Sequence, residues 1–122
     1  MVQNHSLNNY SSIIQSAVNY INLNLSKPLS LKEVSKQLNI SSSYLSHLFK
    51  KELNTTLTDY VTEKRIKQTL MLLTTTKLSV QTICSHVGID DSNYFSKIFK
   101  NKIGYTPTEY RKHFQLVSPS GT

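Results

Sequence analysis

Residues able to do covalent chemistry are few in this chain, and they are scattered. Four histidines (His5, His47, His86, His113) and one thiol, Cys84, are the soft ligands available. Cys84-x-His86 is too sparse for a metal site, and an i, i+2 spacing on a helix points the two side chains apart. Cys84 therefore reads as a small buried residue. Three glycines supply no phosphate-cradling loop, and neither a carboxylate pair nor a nucleophile beside a base can be traced. The sequence points away from an enzyme, and it calls for no metal and no cofactor. What remains is two sets of small polar and cationic side chains fifty residues apart: Ser42, Ser43, Ser46, His47 and Lys50, then Ser92, Asn93, Ser96, Lys97 and Lys100. Hydroxyls, amides and ammonium groups are what base edges and phosphate oxygens bond to.

The charge balance agrees. Over 122 residues, 14 Lys and Arg face 7 Asp and Glu, a net charge of +7. A small domain this basic calls for a polyanionic partner, nucleic acid before an anionic membrane surface. The longest unbroken apolar run, Leu70 to Leu73, is far short of a membrane span. No secretory leader pattern opens the chain, and a single cysteine excludes an internal disulfide framework, so a cytoplasmic location is expected.

The two polar sets belong to an internal repeat. Tyr44-Leu45-Ser46-His47-Leu48-Phe49-Lys50 returns as Tyr94-Phe95-Ser96-Lys97-Ile98-Phe99-Lys100, and residues 44–60 match 94–110 at seven of 17 positions. With one residue of slippage, Leu29-Ser30-Leu31 and Val34 match Leu78-Ser79-Val80 and Ile83. Each copy reads as helix, turn, helix. Ser30 with Glu33 has the spacing of a capping box, and Ser79 is the corresponding cap. Leu29 with Val34, and Leu78 with Ile83, have the spacing of hydrophobic staples. Asn39 and Gly88 tolerate the left-handed backbone that ends a helix. Ser41 or Ser42, and Asp91, restart the chain as N-caps. The second helices bury Leu45, Leu48, Phe49 and Leu53, and Phe95, Ile98, Phe99 and Ile103, which turns the polar sets outward.

Supporting elements complete an all-α domain of seven helices over residues 8–114, with two helix-turn-helix units joined by a long central linker helix. The first unit is expected at about 30–53 and the linker helix at about 57–74, with Val61, Ile66, Leu70 and Leu73 on one side. The second unit is expected at about 79–103. The last helix, at about 107–114, opens with Thr106-Pro107-Thr108-Glu109, which places a capping box beside a first-turn proline. Residues 1–7 and 115–122 are expected to be flexible ends. With a single alanine in the chain, its helices must be held by packing rather than by intrinsic propensity.

The pattern Ser79, Ile83, Gly88-Ile89, Ser92, Tyr94-Phe95, Phe99-Lys100, Gly104, Thr106-Pro107, Tyr110-Arg111 resembles the signature of the AraC/XylS family of bacterial transcription regulators. Pro28-Leu29-Ser30-Leu31, Ser43-Tyr44-Leu45, Leu48-Phe49-Lys50-Lys51 and Arg65-Ile66 resemble its first half. The resemblance covers about residues 10 to 114. It implies sequence-specific binding of double-stranded DNA, with the second helix of each unit in one of two neighbouring major-groove segments. By analogy, base readout falls on Ser43, Ser46 and His47 and on Ser92, Asn93, Ser96 and Lys97. A nonspecific architectural DNA-binding protein is the alternative. Partners are expected to be double-stranded DNA and RNA polymerase, without a membrane. An effector-binding or dimerisation domain is expected to precede this part in the full protein. The sequence departs from the family at Cys84, usually Ala, and at Ile89, usually aromatic. Neither set of readers contains an arginine, the commonest reader of guanine, so thymine methyls, adenine edges, backbone and DNA shape are the expected targets. Arg65 and Arg111 are left for phosphate contact or packing.

Overall fold

The computed structural model describes residues 9–116. The expected flexible end at 1–7 and residues 117–122 of the other lie outside the described residues. The described residues form seven α-helices: α1 (Ser12–Leu23), α2 (Leu31–Leu38), α3 (Ser42–Leu48), α4 (Leu57–Thr75), α5 (Val80–His86), α6 (Ser92–Ile103) and α7 (Pro107–Phe114). There is no strand among the described residues. Helix α3 runs on through a π-helical turn, Phe49–Leu53, so the polypeptide from 42 to 53 matches α6 in length but not in winding. Two compact units result, meeting in sequence between Glu63 and Lys64 inside α4.

The first unit has its own core: Ile14, Ala17, Val18 and Ile21 of α1, Leu29 and Val34, Leu45, Leu48 and Phe49, and Leu57 and Val61 of α4. The second is built on Ile66, Leu73, Ile83, Cys84, Phe95 and Phe99. The linker helix was expected to show one apolar side. Instead Leu57 and Val61 belong to the first core and Ile66 and Leu73 to the second, while Leu70 is only half-buried. Thr69, fully buried on the same helix, returns its hydroxyl to the Arg65 carbonyl at 2.8 Å and so leaves no polar atom unsatisfied.

Short helices poor in alanine depend on their ends. Ser11, Ser30, Ser41, Thr56, Ser79, Asp91 and Thr106 each accept a backbone N–H from three residues ahead, at 3.0–3.3 Å. The reciprocal capping box forms in full at the last of these, where Glu109 Oε1 accepts the Thr106 N–H at 2.8 Å. At Ser30 only the hydroxyl half forms, and Glu33 does not return the bond. Gln115 and Leu116, expected with the flexible end, are tied down: Gln115 Nε2 donates to the Thr76 carbonyl at 3.2 Å, and the Leu116 N–H donates to the Thr74 carbonyl at 2.8 Å.

Candidate nucleic-acid interface

The turn that aims each second helix is built in the same way in both units. Asn39 (φ 58°) and Gly88 (φ 80°) take the left-handed conformation. The next residue folds back, with the Ile40 N–H donating to the Ser35 carbonyl at 3.1 Å and the Ile89 N–H to the Cys84 carbonyl at 2.8 Å. The new helix is then capped by Ser41, which accepts the Tyr44 N–H at 3.1 Å, or by Asp91, which accepts the Tyr94 N–H at 3.0 Å. The far ends also correspond. Asn54 (φ 58°) accepts the left-handed conformation after the π-turn, and Gly104 (φ 94°) does so after α6.

With Leu45 and Phe95 turned into their cores, the outward faces carry the residues that the sequence nominates. Ser43, Ser46, His47 and Lys50 are exposed on the first, and Asn93, Lys97 and Lys100 on the second; Ser92 and Ser96 are half-buried. A cleft of about 380 Å³ lies beside α6, lined by Ser96, Lys97, Lys100, Asn101 and Thr106. Two of those five, Asn101 and Thr106, were not among the sequence candidates. Glu109 sits at the same helix start. Its carboxyl is held below the usual carboxylate range by the bond from the Thr106 N–H, with Lys100 and His113 acting in the same direction.

Ser42 is placed differently from the other candidates. Its hydroxyl lies 2.9 Å from that of buried Ser35 on α2, which in turn donates to the Lys32 carbonyl at 3.1 Å. Ser42 thus fixes α3 against α2 and presents no free hydroxyl on the outward face. Two further residues, Tyr44 and Tyr94, stand exposed in the first turns of α3 and α6 at 48% and 64%. Their identity in both copies of the repeat was the one sequence signal that could have found them.

Both arginines are committed to the second unit. Arg111 donates from Nε to the Leu73 carbonyl at 3.1 Å and from Nη2 to the Thr76 carbonyl at 3.2 Å, closing the C-terminal end of α4. Half-burial pulls the Arg65 guanidinium below its usual range, and the neighbouring Asp90 carboxylate opposes that shift. The exposed cations of the candidate faces are therefore lysines, with the His47 side chain beside them. Burial pushes the Cys84 thiol up, as fits a packing residue. Among the described residues there is no group of His, Cys, Asp and Glu able to hold a metal ion, and no helix is long and apolar enough to cross a membrane.

A left-handed turn followed by a capped helix with an apolar inner and a polar, cationic outer face, present twice, defines a double helix-turn-helix DNA-binding domain. Residues 34–113 match the model of a helix-turn-helix domain family. The Msm operon regulatory protein of Streptococcus mutans is 40% identical over 87 residues, which are 71% of this chain and 31% of that protein. The arabinose operon regulatory protein of Salmonella typhimurium is 35% identical over 101 residues, 82% of this chain and 36% of that protein. Among solved structures, the C-terminal domain of AraT, a response regulator from Geobacillus stearothermophilus, superposes with a TM-score of 0.85 at 34% identity, covering 91% of this chain and 92% of that one. The chain belongs to the AraC/XylS family of helix-turn-helix regulators. It spans about a third of the length of the curated relatives it matches.

Proposed function

We propose that this chain is the DNA-reading part of a bacterial transcription regulator, with α3 and α6 each entering one of two neighbouring major-groove segments of a single site. The observation that carries this reading is the repeated turn. Two unlike sequences, Asn39-Ile40-Ser41 and Gly88-Ile89-Asp90-Asp91, build the same left-handed reversal and the same cap beneath an outward face that carries no acid. Ser43, Ser46 and His47 read from the first helix, and Ser92, Asn93, Ser96 and Lys97 from the second. Lys50 and Lys100 hold phosphate, and Ser42 positions α3. Lacking arginine on either face, the domain relies on adenine edges, thymine methyls and DNA shape, with Lys97 the one base-reading lysine able to donate to guanine O6 and N7. Relatives about three times as long leave room for an effector-binding or dimerisation domain in the full protein. Contact with RNA polymerase at the promoter and a cytoplasmic location belong to the same proposal.

The test is selection of bound duplexes from a random pool at a stated salt concentration, followed by competition with scrambled duplexes. One asymmetric preferred site, bound by one chain, is the expected result, because both reading helices lie in the same polypeptide. Equal competition by scrambled duplexes would instead establish an architectural binder. A palindrome bound only by dimers would overturn the single-chain reading.

A further inference from the structure

Tyr44 and Tyr94 are the two exposed tyrosines among the described residues. The others are at least half-buried, several of them in aromatic contacts: Tyr60 against Phe49, and Tyr105 and Tyr110 with Phe114. Neither Tyr44 nor Tyr94 has a hydrogen-bond or ring partner for its side chain within the described residues. Each is the third residue of its helix, and its backbone is fixed there by the cap, Ser41 in one unit and Asp91 in the other. An aromatic ring kept in water at the same place in both copies, although fewer than half of the aligned positions are identical, calls for a partner outside the chain.

The helical period locates that partner. At about 100° per residue from the inward Leu45 and Phe95, Ser43 and His47, and Asn93 and Lys97, occupy the centre of the outward face. Ser46 and Ser96 fall on one flank, and Tyr44 and Tyr94 on the other. A helix seated in a major groove about 12 Å wide turns its centre to the base edges and its flanks to the sugar–phosphate walls. Tyrosine suits a wall contact, because it reaches far with few torsions to freeze and ends in an O–H donor that phosphate oxygens accept.

We propose that Tyr44 and Tyr94 each donate their phenolic O–H to a backbone phosphate of the bound DNA, one per unit, and so fix the rotation and depth of α3 and α6 in the groove. The proposal rests on the reading that these helices enter DNA. It adds two positioning residues that carry no charge and read no base.

Tyr44→Phe and Tyr94→Phe in the 122-residue chain test this on a duplex that the wild-type chain selects from a random pool. Each removes one hydroxyl that has no partner among the described residues, so the thermal midpoint is expected to stay unchanged. Binding should weaken about three- to tenfold for each substitution. The sequence preferred on reselection should not change. The log–log salt slope should also stay the same, since a neutral donor releases no counterion. Wild-type affinity in both phenylalanine variants overturns the proposal, even if Tyr→Ala weakens binding through loss of the ring. An altered preferred sequence overturns it too, by making the tyrosines base readers. A wild-type chain that binds no duplex removes the DNA reading itself and the proposal with it, an outcome plainly distinct from the other two.

Discussion

Arg111→Ala should be the most damaging single polar substitution in the second unit. The guanidinium donates to the Leu73 and Thr76 carbonyls, at 3.1 and 3.2 Å, at the end of α4, where helix carbonyls lack partners of their own. A bond from a charged donor is worth about 1.5–3 kcal/mol, with the lower part of that range fitting a half-buried side chain. The Thr76 carbonyl keeps the Gln115 amide at 3.2 Å, so only the Leu73 carbonyl is left without that partner. Together these give a loss of about 2–3 kcal/mol, or a fall in Tm of about 10–20 °C for a unit of this size. Arg111→Lys keeps the favourable charge at a helix C-terminus, worth about 0.3–1 kcal/mol, but loses the two-pronged geometry and should lie in between. Urea unfolding followed by circular dichroism reads the stability. Exchange of the Leu116 amide, which donates to the Thr74 carbonyl, reports the joint locally. A loss under about 0.5 kcal/mol for Arg111→Ala, or full rescue by lysine, would refute the bidentate account. A salt slope for DNA binding flattened by about one would return Arg111 to the phosphate contacts.

Gly104→Ala meets no atom within 4 Å of the added Cβ, so its cost is the left-handed backbone alone, about 1–2 kcal/mol by thermal denaturation. Gly104→Asn should cost less, since Asn54 fills the equivalent place at φ 58°. Glu109 has a folded-state pKa below its usual value, so the stability it adds is complete above the ordinary carboxylate range and is lost as pH falls through the lowered value. Melts of wild type and Glu109→Gln should therefore differ at neutral pH and converge in acid, and a constant gap would refute the capping argument. Lys97→Ala should weaken binding to a selected duplex more than to a scrambled one, by about 1–3 kcal/mol, whereas Lys100→Ala should weaken both and flatten the salt slope by about one. Identical profiles for the two lysines would remove Lys97 from the base readers.

The local architecture was legible because its signals are local. Ser41, Asp91 and Thr106 cap helices by reaching three residues ahead, and Asn39, Gly88 and Gly104 end helices through their own φ, so a window of a few residues contains the cause. The outward faces followed from period alone once Leu45, Phe49, Phe95 and Phe99 were taken as core, and all four are buried. The linker helix was harder. Its apolar residues serve two cores in succession, Leu57 and Val61 then Ile66 and Leu73, and so cannot form the one side that a single periodic count looks for.

What the sequence hid is the work of polar residues whose partners are distant in the chain. Ser42 and Ser43 are neighbours of one type, yet one hydroxyl is held by Ser35 and the other faces solvent, because α2 packs against only one side of α3. The first unit bonds Ser35 to Ser42 where the second places Cys84 and Ser92, so equivalent positions of the repeat do not do equivalent work. Glu52 accepts the Ser11 N–H at 2.8 Å across 41 residues, and Arg111 reaches Leu73 across 38. Neither link has a motif. A basic side chain beside a DNA-reading helix is read from sequence as a phosphate contact, but an unpaired helix C-terminus within reach competes for the same cation, and for Arg111 the helix end prevails. The DNA-facing charge of this domain therefore has to be counted from the lysines that remain exposed, and not from its total of fourteen basic residues.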